Sequence, residues 1–147
     1  MPQLLNESIL QQVGEVFGQM KEPVHILFFG RKENCDYCND ARQLVEEVVA
    51  MSDKLSLSVY DLQGDADVAR QYGVDKAPGL VIAAKDGKQI TDYGVRYAGI
   101  PSGHEFTALI QGILLVSGRD SGLKLQTREF LKGLTKPVHL QIFVTPT

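Results

Sequence analysis

The chain contains 147 residues, of which 44% are apolar and 22% are charged, and its net charge is −3. It is long enough to bury the core of one ordinary globular domain. The acidic balance and the lack of basic runs argue against a nucleic-acid-binding protein, and no apolar stretch approaches the length of a membrane span.

Apolar periodicity predicts five helices and five strands along the chain. Helical spacing of apolar residues predicts helices at 7–20, 35–51, 65–72, 104–117 and 123–134. Alternating or continuous apolar runs predict strands at 24–29, 55–60, 80–84, 89–97 and 137–144. Asn6 or Ser8 is the expected cap of the first helix, and Asp86-Gly87 predicts a hairpin. The order up to residue 117 is typical of an α/β domain with one hairpin at the end of its sheet.

The last 29 residues repeat the pattern with which the chain begins. Residues 135–139 (TKPVH) match residues 21–25 (KEPVH) at an offset of 114, and Phe143 matches Phe29 in the same register. The agreement of helix, proline and strand predicts a first unit at 1–118 and the start of a second unit at 119–147. The equivalent of Cys35 would fall at position 149, so we expect a truncated chain that lacks its second redox site.

Cys35 and Cys38 are the only cysteines in the sequence. Two cysteines in a chain of this size do not form a disulfide scaffold, and the first seven residues lack the pattern of a secretory signal. We therefore expect a cytoplasmic protein whose cysteine pair is catalytic. The pair lies between a predicted strand and a predicted helix, which is the context of a thiol–disulfide redox site.

The two cysteines are expected to have different roles. Cys35 at the start of the helix lies near the positive end of the helix dipole, so we predict that it is the attacking thiolate. Cys38, one turn further, is predicted to be more buried and to resolve the mixed disulfide. Tyr37 is expected to pack over the pair or to line the surface that a substrate approaches.

Ala77-Pro78 precedes a predicted strand and is a candidate cis peptide. In the cis form it would expose the backbone of Ala77 to an incoming peptide beside the cysteines, and it would block metal binding there. The alternative is a trans proline that begins the strand.

These motifs together resemble the thioredoxin/glutaredoxin superfamily. The residues concerned are Cys35-Asp36-Tyr37-Cys38, Tyr72-Gly73-Val74 followed by Ala77-Pro78, and Gly99. The duplicated unit, the segment 94–106 and the ending 143–147 resemble more narrowly the tandem protein disulfide oxidoreductases of thermophilic archaea and bacteria.

This resemblance implies a thioredoxin-like fold, a central mixed sheet flanked by helices, over residues 1–118. It implies exchange of a Cys35/Cys38 dithiol with protein disulfides, a substrate surface that includes Tyr37, Ala77 and Pro78, and an upstream reductase as partner. No cofactor, metal, membrane or nucleic acid is expected. The sequence departs from the superfamily at Asp36, which replaces a proline of glutaredoxins, and it lacks their glutathione-binding residues.

Two other functions compete with redox catalysis. The cysteines supply two of the four ligands that zinc normally takes, so a metal or iron–sulfur site would need further ligands or a second chain. A thioredoxin-like interaction module without catalysis would instead carry the cysteines as inert core residues.

Overall fold

Five helices and four strands form within residues 2–145, the part of the chain described by this computed structural model. The elements are α1 (Glu7–Phe17), β1 (Val24–Gly30), α2 (Cys38–Val49), β2 (Leu55–Asp61), α3 (Ala66–Gln71), β3 (Gly79–Asp86), β4 (Gln89–Ala98), α4 (His104–Ser117) and α5 (Leu125–Lys132). The predicted order of elements up to residue 117 is confirmed. In these residues no helix has both the length and the apolar character needed to cross a lipid bilayer.

The four strands form one mixed sheet in the order β2-β1-β3-β4. β1 pairs with β2 in parallel and with β3 antiparallel, and β3 pairs antiparallel with β4. Phe29 near the end of β1 is therefore opposite both Tyr60 in β2 and Gly79 at the start of β3. As a result, the loop after β1 and the loop before β3 leave the sheet at the same edge.

Both faces of the sheet are covered, which explains the nearly continuous apolar sequence of β1. Ile26 and Phe28 belong to a core cluster that includes residues of α1, α2 and α4. Leu27 and Phe29 point to the opposite face and belong to a smaller cluster with residues of α3. Successive side chains of a strand alternate between faces, so β1 contributes to both clusters.

Two polar side chains attach the end of α4 to the segment before β1. The fully buried Ser117 donates from Oγ to the carbonyl oxygen of Glu22 at 2.8 Å and accepts from the Lys21 N–H at 2.9 Å. Arg119 donates to the carbonyl oxygens of Val116, Pro23 and Lys85 and to the carboxylate of Asp86. These contacts lie at the end of β3 that is farthest from its first residue, Gly79.

The helix expected to begin at Cys35 begins at Cys38 instead. Its first intrahelical bond joins the Ala41 N–H to the carbonyl oxygen of Tyr37 at 2.9 Å. Tyr37 itself has φ −108° and ψ 4°, outside the helical range, and Asn34 has a positive φ of 55°. The backbone therefore turns through residues 34–37 before the helix starts, and Cys35 precedes the helix rather than opening it.

The strand expected at 137–144 is absent, and this prediction is wrong. α5 forms, but none of its residues is buried, and residues 135–145 have no regular structure. Val138, Leu140 and Phe143 are 63%, 84% and 89% exposed. A strand needs a neighbouring strand to satisfy its N–H and C=O groups, and none lies beside this segment in the described chain.

Candidate redox site

Cys35 and Cys38 are joined by a disulfide bond at the edge of the sheet where β1 ends. Their Cα atoms are 5.5 Å apart, the usual separation for bonded cysteines. Cys38 is 5% exposed, whereas Cys35 is half-buried and therefore more accessible to a substrate. Both cysteines border an open cavity of about 420 Å³.

The backbone at the end of β1 holds the sulfur atom of Cys38 in place. The N–H of Arg31 donates to Cys38 Sγ at 3.4 Å. Gly30 leaves room for the Phe28 ring, because a Cβ there would lie 2.9 Å from Phe28 Cε1, whereas its distance of 3.8 Å from Cys38 Sγ would be an ordinary contact.

Charged side chains of both signs line the same cavity. The cations are Arg31, Lys32 and Arg42, and the carboxylates are Asp61 and Asp65. Positive side chains beside a cysteine favour its thiolate form, which is the nucleophile in disulfide exchange.

The two carboxylates bind nearby backbone N–H groups. Asp61 accepts from Gly64 at 2.7 Å and from Gln63 at 3.1 Å, and the bond from Gly64 is the main reason that its pKa lies below the usual value. Asp65 accepts the N–H of Asp61 at 2.8 Å. The sequence interpretation did not place these acidic residues at the site. One feature of the sequence could have indicated this position for Asp61. Asp61 ends the strand that runs parallel to β1, and parallel neighbours end at the same edge of a sheet.

The Ala77–Pro78 peptide bond is cis, as expected from the sequence. Pro78 directly precedes β3, and the antiparallel register carries it beside Gly30 at the end of β1. The carbonyl oxygen of Pro78 accepts the Gly99 N–H at 2.8 Å. Pro78 is buried and Ala77 is half-buried. The sheet thus brings this bond to the edge that carries the cysteines.

Tyr37 is 61% exposed and is not part of either core cluster. Its two expected positions, over the disulfide or on the surface that a substrate approaches, stay predictions. Within residues 2–145, no group of three or more His, Cys, Asp or Glu side chains is arranged to hold a metal ion.

The chain matches the sequence profile of the thioredoxin domain family over residues 24–111. It is also 29% identical over 144 residues to the F component of alkyl hydroperoxide reductase from Staphylococcus epidermidis, and 30% identical to that from Staphylococcus aureus. Each match covers 98% of this chain and 25% of the relative, so the chain spans about a quarter of the length of these relatives.

Solved structures share the fold. A protein disulfide oxidoreductase from Aeropyrum pernix aligns with a TM-score of 0.76 and 29% identity, covering 88% of this chain and 55% of that one. The NTD_N/C domain of the alkylhydroperoxide reductase AhpF from Enterococcus faecalis aligns with a TM-score of 0.78 and 23% identity, covering 90% of this chain and 62% of that one. At 23% identity, the second similarity concerns the fold alone.

Proposed function

This chain belongs to the thioredoxin domain family, and we propose that it exchanges its Cys35/Cys38 dithiol and disulfide with protein substrates. The observation that carries the proposal is the disulfide itself, with one accessible and one buried cysteine at the edge of the sheet. The charged cavity beside the two cysteines supports it.

In the reducing direction, the Cys35 thiolate attacks one sulfur of a substrate disulfide. A bond forms between Cys35 Sγ and that sulfur, and the other substrate sulfur leaves as a thiolate that takes up a proton. The Cys38 thiolate then attacks Cys35 Sγ, which releases the second substrate thiolate and closes the Cys35–Cys38 disulfide. Two electrons pass from the protein to the substrate. An upstream dithiol reductase must return them, and the reverse sequence oxidises a substrate dithiol.

Cys35 is assigned the attacking role because it is the more exposed of the two cysteine residues. Its position before α2 still places it near the unpaired N–H groups of the first helical turn. Ala77, Pro78 and Tyr37 form the proposed substrate surface, since they lie at the same edge or are exposed towards solvent.

The same proposal covers the organisation and setting of the chain. Residues 1–118 act as a thioredoxin-like domain, and residues 119–147 are the start of a second such unit. The repeat at an offset of 114 and the exposed apolar residues of α5 and the following segment support this division. We place the reaction in the cytoplasm, in redox homeostasis, because cysteine pairs in proteins of this size are typically catalytic there.

Trapping of a mixed disulfide tests the proposal. The Cys38→Ala variant, incubated with insulin, is expected to form a covalent adduct that dithiothreitol releases, because no second thiol resolves it. The double variant Cys35→Ser/Cys38→Ala is the matched control and is expected to form none. Wild-type protein should also accelerate the precipitation of insulin by dithiothreitol, and Cys35→Ser should not.

Inactive wild-type protein and the absence of any adduct would refute redox catalysis and favour an interaction module. Adducts formed through Cys38 in Cys35→Ser, but not through Cys35, would reverse the two roles. An absorbance spectrum of anaerobically purified protein with iron–sulfur bands would support the metal site instead.

A further inference from the structure

Arg96 in β4 forms hydrogen bonds with two separate parts of the chain. Its Nε and Nη2 atoms donate to the carbonyl oxygen of Tyr72 at 3.1 and 2.8 Å. Its Nη1 and Nη2 atoms donate to the two carboxylate oxygens of Asp92 at 2.8 and 2.6 Å. The side chains of the ion pair are 32% and 30% exposed, so the guanidinium is partly shielded from solvent.

The carbonyl group bound by Arg96 has no partner within its own helix. Tyr72 caps the C-terminus of α3, a helix of only six residues. The last carbonyl groups of a helix lack intrahelical donors, and such a short helix has little stability of its own. Two N–H groups of one rigid guanidinium on the same oxygen determine its distance and its direction.

The cis-proline loop, residues 73–78, begins immediately after this carbonyl. Its other end is held where the Pro78 carbonyl oxygen accepts the Gly99 N–H at 2.8 Å. Between the two ends the loop folds closely over Gly79, since a Cβ there would lie 2.6 Å from the Lys76 carbonyl oxygen. One end of the loop is therefore attached to Arg96 in β4, and the other end is attached to Gly99, which directly follows β4.

We propose that Arg96 is a positioning residue for substrate binding. By holding the Tyr72 carbonyl oxygen, it fixes the position of the cis-proline loop relative to the sheet. The inference rests on the proposed function, in which this loop binds the backbone of a protein substrate. Arg96 does not line the cavity beside the cysteines. It therefore acts on the affinity for protein substrates and not on the sulfur chemistry.

Arg119 provides a matched control for general stabilisation. Like Arg96, it donates to backbone carbonyl oxygens and pairs with an aspartate. Its contacts with Lys85 and Asp86 lie at the opposite end of β3 from Pro78. Removing either guanidinium should lower the stability, but only the loss of Arg96 should affect the cis-proline loop.

The test compares two disulfide substrates: insulin in steady-state assays with dithiothreitol as the reductant, and a small disulfide in single-turnover reactions of the pre-reduced protein freed of dithiothreitol, because dithiothreitol reduces the small disulfide directly. Insulin represents protein disulfides, and 5,5′-dithiobis(2-nitrobenzoate) is a small disulfide that needs no extended binding surface. For Arg96→Gln we expect KM for insulin to rise about fivefold, the effect of losing one well-formed hydrogen bond, with kcat within about twofold of wild type. The rate with the small disulfide should not change. Arg96→Lys, which retains the charge but not the fork of donors, should give an intermediate KM.

Arg119→Gln is expected to lower the melting temperature and leave the KM for insulin unchanged. An unchanged KM in Arg96→Gln, or an equal rise in Arg119→Gln, would overturn the inference while the proposed function stands. A wild-type protein inactive with both disulfides would overturn the proposed function, and the inference with it. If Arg96→Gln does not fold, a KM for insulin in Arg96→Lys equal to that of wild type overturns the inference.

Discussion

Tyr97 packs so closely against Gly112 that the effect of Gly112→Ala on stability should depend on the Tyr97 hydroxyl: destabilising when it is present and stabilising when it is removed. Gly112 is a buried residue inside α4, and a Cβ built there would lie 2.6 Å from Tyr97 Oη. That hydroxyl donates to the Ala108 carbonyl oxygen at 2.7 Å. The next nearest atom, Tyr97 Cζ, would lie 3.6 Å away, an ordinary contact. The clash in Gly112→Ala is therefore caused by one hydroxyl group.

The magnitude follows from opposing contributions to the free energy of unfolding. Alanine is better than glycine inside a helix by about 1 kcal/mol. Displacing the Tyr97 ring costs about 1 kcal/mol for the lost hydrogen bond and about 1–2 kcal/mol for overpacking. We therefore expect Gly112→Ala to destabilise the wild type by about 1–2 kcal/mol. In a Tyr97→Phe background the clash is absent, and the same substitution should stabilise by up to about 1 kcal/mol.

Urea denaturation followed by far-ultraviolet circular dichroism measures both single variants and the double variant. Tyr97→Phe alone should cost about 1 kcal/mol, because the Ala108 carbonyl keeps its helical hydrogen bond. Gly14→Ala in α1 is the matched control: its Cβ would be 3.9 Å from Met51 Cε, so alanine should stabilise there. If Gly112→Ala stabilises the wild type, or if Tyr97→Phe does not reverse its sign, the steric argument is wrong.

Two further predictions concern polar groups at the start of β1. Ser117→Ala should lower the free energy of unfolding by about 1–3 kcal/mol, because it removes the fully buried hydroxyl that accepts the Lys21 N–H and donates to the Glu22 carbonyl oxygen. Ser8→Ala on the exposed surface of α1 should change it by less than about 0.5 kcal/mol in urea denaturation. His25 has a pKa below 6.5, caused first by burial and second by Lys85, so below pH 6.5 the unfolded chain binds more protons there than the folded protein. Stability should fall as the pH decreases from 6.5 through the lowered pKa of His25, and it should fall less in His25→Gln. Urea denaturation at pH 7.5 and pH 5.5 measures this loss, and an equal loss of unfolding free energy in wild type and His25→Gln would contradict the prediction.

Local sequence patterns predicted most of the secondary structure. α4 occupies residues 104–117 as expected, and the hairpin at Asp86-Gly87 joins β3 to β4. Asn6 is the cap of α1, since its Oδ1 accepts the Ile9 N–H at 2.9 Å. These features depend on residues that are neighbours in the sequence. The segment 137–144 has an equally apolar pattern, but a strand also requires a partner, so the pattern alone was insufficient.

The sequence by itself determined the family, the order of elements up to residue 117, the spacing of Cys35 and Cys38 and the candidate cis bond before β3. Short-range periodicity and motif spacing carry that information. Only the tertiary structure decided that α2 begins at Cys38, that Asp61 and Asp65 border the same cavity as the cysteines, and that Arg96 binds the carbonyl group before the cis-proline loop. The start of α2 depends on the backbone conformation of residues 34–37. The other two features join residues that are distant along the chain, and the pairing of the four strands brings them together.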